Sequence, residues 1–230
     1  MYCEGVFSHG SKGRLTEYDL GRFPDDTLLH RIGRVVCRTG CLPRKELFEA
    51  WEVARRVRRL IRGGRVVDMA AGHGLLAHVM LLLDDSSPEA IAIDPNLSPS
   101  AAHLHAVLAA EWPRLSGRII FVASDLDAVA LGPTDVVVSS HACGALTDRI
   151  LDRAVTAGAR VAVLPCCHDL DTCDAGPLTG WVDTPLAIDL MRAMRLEQRG
   201  YRVRTQTIPA DITPKNRLLI GEPNLRLAGR

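Results

Sequence analysis

Seven short β-branched runs, interrupted by helical stretches, leave this chain few folds to choose from. The runs fall at 65–68, 90–93, 118–123, 135–139, 160–164, 201–208 and 216–220. Helical stretches at 75–83, 101–110, 126–130 and 146–157 separate the first five, and another at 185–200 precedes the sixth. Such alternation, with strands apolar nearly throughout, predicts an α/β fold with a parallel sheet covered on both faces. The link at 209–214 is too short for a helical crossover, so the last two runs are expected to pair antiparallel. Ahead of the sheet, Leu47, Trp51, Ala54, Val57, Leu60 and Ile61 recur at three- and four-residue spacing. That spacing predicts a helix over 43–62, opened by Pro43 and closed by Gly63-Gly64. The first forty residues show no sustained period. The chain therefore divides into an N-terminal segment, 1–64, ending in a lid-like helix, and an α/β domain, 65–230.

Composition narrows the class further. Hydrophobic residues at 47% and charged residues at 24% suit a folded globular protein. No apolar run approaches the roughly 20 residues of a membrane helix. Met1-Tyr2-Cys3-Glu4 opens without a basic stretch and apolar core, so no secretory signal is expected and the cytoplasm is the default location. Residues 1–64 hold 13 basic and 8 acidic side chains, net +5, while the remainder is net −4. A basic front could meet phosphates, although only three of the 28 basic residues are Lys, a bias that reads as genome composition.

The run Val66-Val67-Asp68-Met69-Ala70-Ala71-Gly72-His73-Gly74 takes an apolar strand through an acid into a small-residue turn that opens a helix. Gly72 and Gly74 would let the backbone approach a ligand where a Cβ would collide. The dinucleotide fingerprint Gly-x-Gly-x-x-Gly is not met, since Ala70 holds its first position. Asp94 ends the second strand, 26 residues after Asp68, and Ser124-Asp125-Leu126 ends the third. Acids at three successive strand tips resemble the S-adenosylmethionine-binding pattern of class I methyltransferases. The resemblance implies a Rossmann-like seven-stranded sheet with an antiparallel last strand. It assigns Asp68, Ala70, Gly72 and Gly74 to the methionine portion, Asp94 to the ribose, and Asp125 with Leu126 to the adenine.

Two later segments are more specific. The fourth strand leads into His141-Ala142-Cys143-Gly144-Ala145-Leu146-Thr147-Asp148, and the fifth into Cys166-Cys167-His168-Asp169. These resemble the methyltransferase domain shared by the tRNA acceptor-stem 2′-O-methyltransferases and the glutathione S-transferase C-terminal-domain-containing proteins. Arg44-Lys45 and Asn216-Arg217 are similar to that family as well, and the likeness covers about 43–221. The tRNA enzymes carry N-terminal zinc-binding Cys/His elements, for which Cys3, Cys37 and Cys41 have no suitable histidine spacing. They usually have a second histidine where Asp169 stands.

The expected enzyme is an S-adenosylmethionine-dependent methyltransferase. His141, Cys166 and His168 would line the acceptor side, with His141 also at the cofactor, either as a base near pH 7 or as a shaper of the pocket. Thr147 and Asp148 are expected to cap the following helix. Adjacent Cys166 and Cys167 in extended backbone point to opposite sides, so no metal site is expected, and the thiols should pack as small apolar groups. His73 should point outward, His103 and His105 should be surface residues, and Trp51 should anchor the core. The acceptor stays open between a small molecule, slightly favoured, and RNA such as tRNA. A non-catalytic S-adenosylmethionine-binding scaffold is the remaining alternative.

Overall fold

The computed structural model describes residues 7–224, so Cys3 and the N-terminal tetrapeptide lie outside it. The strands are β1 (Val66–Met69), β2 (Ala90–Ile93), β3 (Ile119–Val122), β4 (Val136–Ser139), β5 (Arg160–Val163), β6 (Tyr201–Thr207) and β7 (Arg217–Pro223). They form one sheet in the order β3-β2-β1-β4-β5-β7-β6. β1 to β5 are parallel. β7 lies between β5 and β6 and is antiparallel to both, so the expected antiparallel closure is present. Because β2 leaves β1 on one side and β4 lies on the other, the loops after β1 and β4 part at their carboxyl ends. That parting opens the crevice where ligands of such sheets bind.

Six α-helices cover the sheet: α1 (Leu28–Thr39), α2 (Arg44–Leu60), α3 (Leu75–Leu83), α4 (Ala101–Glu111), α5 (Ala145–Ala157) and α6 (Thr184–Gln198). Helices α1 to α4 share one apolar core with sheet residues such as Val66, Val136 and Val138. On the opposite face Val67, Val137 and Val161 pack with Ile150, Ala154 and Leu196 of α5 and α6. Val53, Ala54 and Val57 of α2 share the first core with Leu76, Ala77 and Val79 of α3, so packing runs across residue 64 without a break. Trp51 packs against that core, as expected. Among the described residues, no helix is long and apolar enough to cross a membrane.

Two elements differ from expectation. The front forty residues contain α1, whose Ile32, Val35 and Val36 are buried. Gly33 punctuates the pattern, yet it is a packing requirement: a Cβ there would stand 2.4 Å from the Phe23 ring. The expected helix at 126–130 contracts to a single 3-10 turn, Leu126–Ala128, capped by Asp125.

Candidate active site

The turn after β1 is the most unusual backbone of the described chain. Ala70, Gly72 and Gly74 all have positive φ (58°, 55° and 74°), and Ala70 is the only non-glycine among the described residues to do so. The two glycines serve different ends. A Cβ on Gly72 would meet nothing within 4 Å, so its outer side is open space. A Cβ on Gly74 would come within 2.9 Å of Phe121 and 3.3 Å of Ala92. Gly74 is therefore required by close packing of α3 on the sheet, whereas Gly72 leaves room for a ligand.

Asp94 is aimed at this turn. Its Oδ2 accepts the Gly72 N–H at 3.0 Å and its Oδ1 accepts the Asn96 N–H at 2.7 Å. A carboxylate oxygen can accept twice, so each retains capacity for a ribose hydroxyl. Asp68 lies beneath, buried, with Oδ2 accepting the Ala77 N–H of α3 at 3.1 Å. Burial pushes its carboxyl up to about 8 from an ordinary 3.8, and Asp94 and Glu46 nearby push the same way. Asp125 is exposed and paired with Arg149 of α5, whose hydrogen bonds hold its carboxyl below the ordinary range. Leu126 is buried in the second core, so its side chain serves packing.

The first turn of α2 covers the glycine turn. Glu46 Oε1 lies 3.1 Å from His73 Nδ1, so His73 is turned inward against α2 rather than outward. One turn on, buried Glu49 pairs with Lys45 at 3.3 Å, with Thr213 and His141 nearby. Burial raises the Glu49 carboxyl. Arg44 faces away, over the Phe7 ring and toward Asp19, and so fastens the N-terminal segment. His105 is half-buried rather than wholly at the surface, and its Nδ1 meets Nε2 of buried His78 at 3.0 Å. His103 is exposed, as expected.

At the carboxyl ends of β4 and β5 the two specific motifs meet. Cys143 and Cys167 form an isolated parallel bridge, and the Gly144 N–H donates to Cys167 O. The expectation that Cys166 and Cys167 diverge fails, because β5 ends at Val163 and pleat alternation lapses beyond it. The sulfurs of Cys143, Cys166 and Cys167 lie within 4.8 Å of one another. A hydrogen bond from Cys143, with Cys166 and Lys215 also adjacent, lowers the Cys167 thiol, while burial raises those of Cys143 and Cys166. Both Cys143 and Cys166 point their thiols toward the His141 carbonyl at 3.6 Å.

His168 is buried, and its Nε2 meets Asp189 Oδ1 of α6 at 2.8 Å. Asp189 Oδ2 accepts from Arg217 at 2.7 Å, and the two partners hold the carboxyl low despite burial. Fully buried Arg192 binds Asp148, Asp189 and the Gly144 carbonyl, and its guanidinium reaches Cys173 Sγ at 3.5 Å. Asp148 is thus an anchor for α6 and not a helix cap, and Thr147 Oγ1 donates to the Ala142 carbonyl. The N-cap of α5 is Gly144, without a side-chain bond. Sequence reasoning missed Asp189 and Arg192. Arg217 belongs to a motif pair it had noted without assigning a role.

The profile of the family described as "Methyltransferase domain" matches residues 51–172. A glutathione S-transferase C-terminal domain-containing protein of Xenopus laevis is 27% identical over 46% of this chain, which spans only 23% of that relative's length. An O-methyltransferase family protein from Burkholderia thailandensis superposes with a TM-score of 0.52 at 17% identity, covering 91% of this chain and 63% of that one. The S-adenosylmethionine-dependent methyltransferase SibL gives 0.52 at 19% identity, covering 92% and 66%. A B. subtilis tRNA methyltransferase gives 0.50 at 16% identity, covering 77% and 68%. At these identities the likeness is one of fold, and it extends across the seven-stranded sheet with its antiparallel end.

Proposed function

This chain belongs to the methyltransferase domain family, and from that premise we propose that it moves the methyl group of S-adenosylmethionine to a small-molecule acceptor beside His141. The observation that carries the reading is Asp94, whose carboxylate faces a glycine turn with open space beside Gly72. When bound, the cofactor supplies a methyl group on a sulfonium, a leaving group already activated. The protein's task is then chiefly alignment.

Asp94 would hold the ribose hydroxyls, and the open side of Gly72 would admit the methionine portion. Asp68 shapes the turn from below through α3 and would help hold the ammonium end. Asp125 and the 3-10 turn at Leu126 would border the adenine, with Arg149 fixing the carboxylate. His141 stands at the mouth of β4 and accepts the acceptor's proton when that acceptor is a hydroxyl, amine or thiol. His168, held by Asp189, and Cys166 complete the acceptor wall. The free thiols suit a reducing compartment, and we place the protein in the cytoplasm on that basis.

Calorimetry tests the cofactor assignment: micromolar binding of S-adenosylmethionine or S-adenosylhomocysteine is expected, abolished in Asp94→Ala. No heat with either ligand refutes it. A tritiated-methyl assay on cell extract, resolved into RNA, protein and small-molecule fractions, tests the acceptor, and label in the small-molecule fraction is expected.

An RNA acceptor is favoured by the His141–Asp148 and Cys166–His168 motifs that resemble the tRNA enzymes. Against it stands the disposition of the basic front. Arg31 and Arg38 are paired to Glu111, Arg44 to Asp19, Lys45 to Glu49, Arg55 and Arg56 to Glu52, and Arg58 and Arg62 to Asp84. Side chains engaged within the fold are less available to a phosphate backbone. The scaffold alternative predicts cofactor binding without turnover in every fraction.

A further inference from the structure

We infer that Cys143, Cys166 and Cys167 form a three-thiolate site for a zinc-class divalent cation. Their sulfurs lie within 4.8 Å of one another, with Cys143 to Cys166 at 2.9 Å and Cys166 to Cys167 at 3.8 Å. Sulfurs around a tetrahedral zinc, each about 2.3 Å from the ion, stand about 3.8 Å apart. The Cys143–Cys166 separation is shorter than that, so metal occupancy requires the exposed Cys143 side chain to turn.

Apolar packing does not account for the cluster. Cys143 is exposed and the other two are only half-buried, whereas cysteines that fill cores are buried, as Cys37 and Cys173 are here. The backbones that present the thiols are fixed from behind. The Cys143–Cys167 bridge locks the two loops together, Thr147 holds the Ala142 carbonyl at 2.9 Å, and buried Arg192 holds the Gly144 carbonyl at 3.0 Å. Gly144, at φ 54°, supplies the turn that brings Cys143 back over Cys166. Preorganised sulfur ligands of this kind favour zinc over magnesium or calcium, which prefer oxygen.

Charge and protons balance without any redox change. Three S–H groups give their protons to solvent as three metal–sulfur bonds form, leaving a net single negative charge on the complex. Lys215 Nζ, 3.8 Å from Cys167 Sγ, offsets that charge. His168 supplies no fourth bond from Nε2, which is committed to Asp189. The fourth position is therefore left for water or an exogenous ligand.

The full-length protein, reduced and freed of metal by chelation, is titrated anaerobically with Co2+. Expected are a sulfur-to-cobalt charge-transfer absorption and tetrahedral visible bands that saturate at one ion per chain and vanish on adding Zn2+. Cys143→Ser, Cys166→Ser and Cys167→Ser should each weaken binding by roughly tenfold or more, while Cys173→Ser keeps it. Should a variant fail to fold, thiol alkylation of the wild-type protein serves instead: Zn2+ should shield Cys143, Cys166 and Cys167 together. A folded, reduced wild-type protein with no charge-transfer band overturns the site, as does equal loss in Cys173→Ser or alkylation that Zn2+ leaves unchanged. Aerobic formation of a Cys143–Cys166 disulfide, with no metal uptake once reduced, overturns it too. Metal uptake and cofactor calorimetry are separate measurements, so either assignment can fall without the other.

Discussion

Ala70 holds a left-handed backbone, φ 58°, at a position where an L side chain pays for it. Ala70→Gly should therefore raise stability by up to about 1 kcal/mol, read as a higher urea midpoint at unchanged slope. Asp68 sets a larger trade. Its carboxyl is raised from 3.8 to about 8, so between those values the folded state holds a proton that the unfolded chain has released. Its contribution to apo-protein stability is thus full below pH 3.8 and is lost as pH rises through 8. Asp68→Asn should stabilise the apo protein at pH 7 by on the order of a few kcal/mol while weakening cofactor binding. Paired melting and calorimetry would check both halves. Asp94 was readable in the sequence because an acid after an apolar run can only sit at a strand tip. The convergence of Cys166 and Cys167 was not, because strand alternation says nothing about residues just past a strand's end.

Helix α6 shows what motif reading omits. Asp189 and Arg192 are three residues apart, a spacing that on any exposed helix makes an ordinary surface pair; here it builds the strut behind His168 and Gly144. Arg192→Ala should cost at least about 2 kcal/mol, since it removes a fully buried guanidinium and its hydrogen bonds to Asp148, Asp189 and the Gly144 carbonyl, and denaturant titration measures it. α1 was hidden for the opposite reason, its buried face being legible at Ile32, Val35 and Val36 but interrupted by a glycine that a neighbouring ring demands. Between α3 and α4, burial drives the His78 imidazole down to about 4 from 6.5. The unfolded chain takes up the proton first as pH falls, so stability present above pH 6.5 is lost as pH drops through 4. From pH 7 to pH 5 the loss assigned to His78 is about 2 kcal/mol. Because Asp68 acts in the opposite sense over this range, the comparison is wild type against His78→Gln at both pH values, with the variant gaining about 2 kcal/mol on the wild type between pH 7 and pH 5.

At the scale of the molecule, the parallel sheet and its antiparallel end were legible in alternation and one short link, features of pattern that survive any choice of side chain, whereas the strand order was not. What pattern could not supply is the destination of charge. The net +5 of residues 1–64 reads as a basic front until the ion pairs to Asp84 and Glu111, outside that segment, are seen. The prediction is that tRNA binds weakly and that raising salt barely changes it; a steep decline of affinity with salt would return RNA to first place. The front segment nevertheless matters to the site. Glu46, which meets His73, lies outside the stretch that the family profile matches. A version trimmed to the matched stretch would keep the strand-tip acids and lose the roof over them. Exchanging a few residues at the start of one helix would then alter that cover and leave the proposed cofactor turn itself untouched.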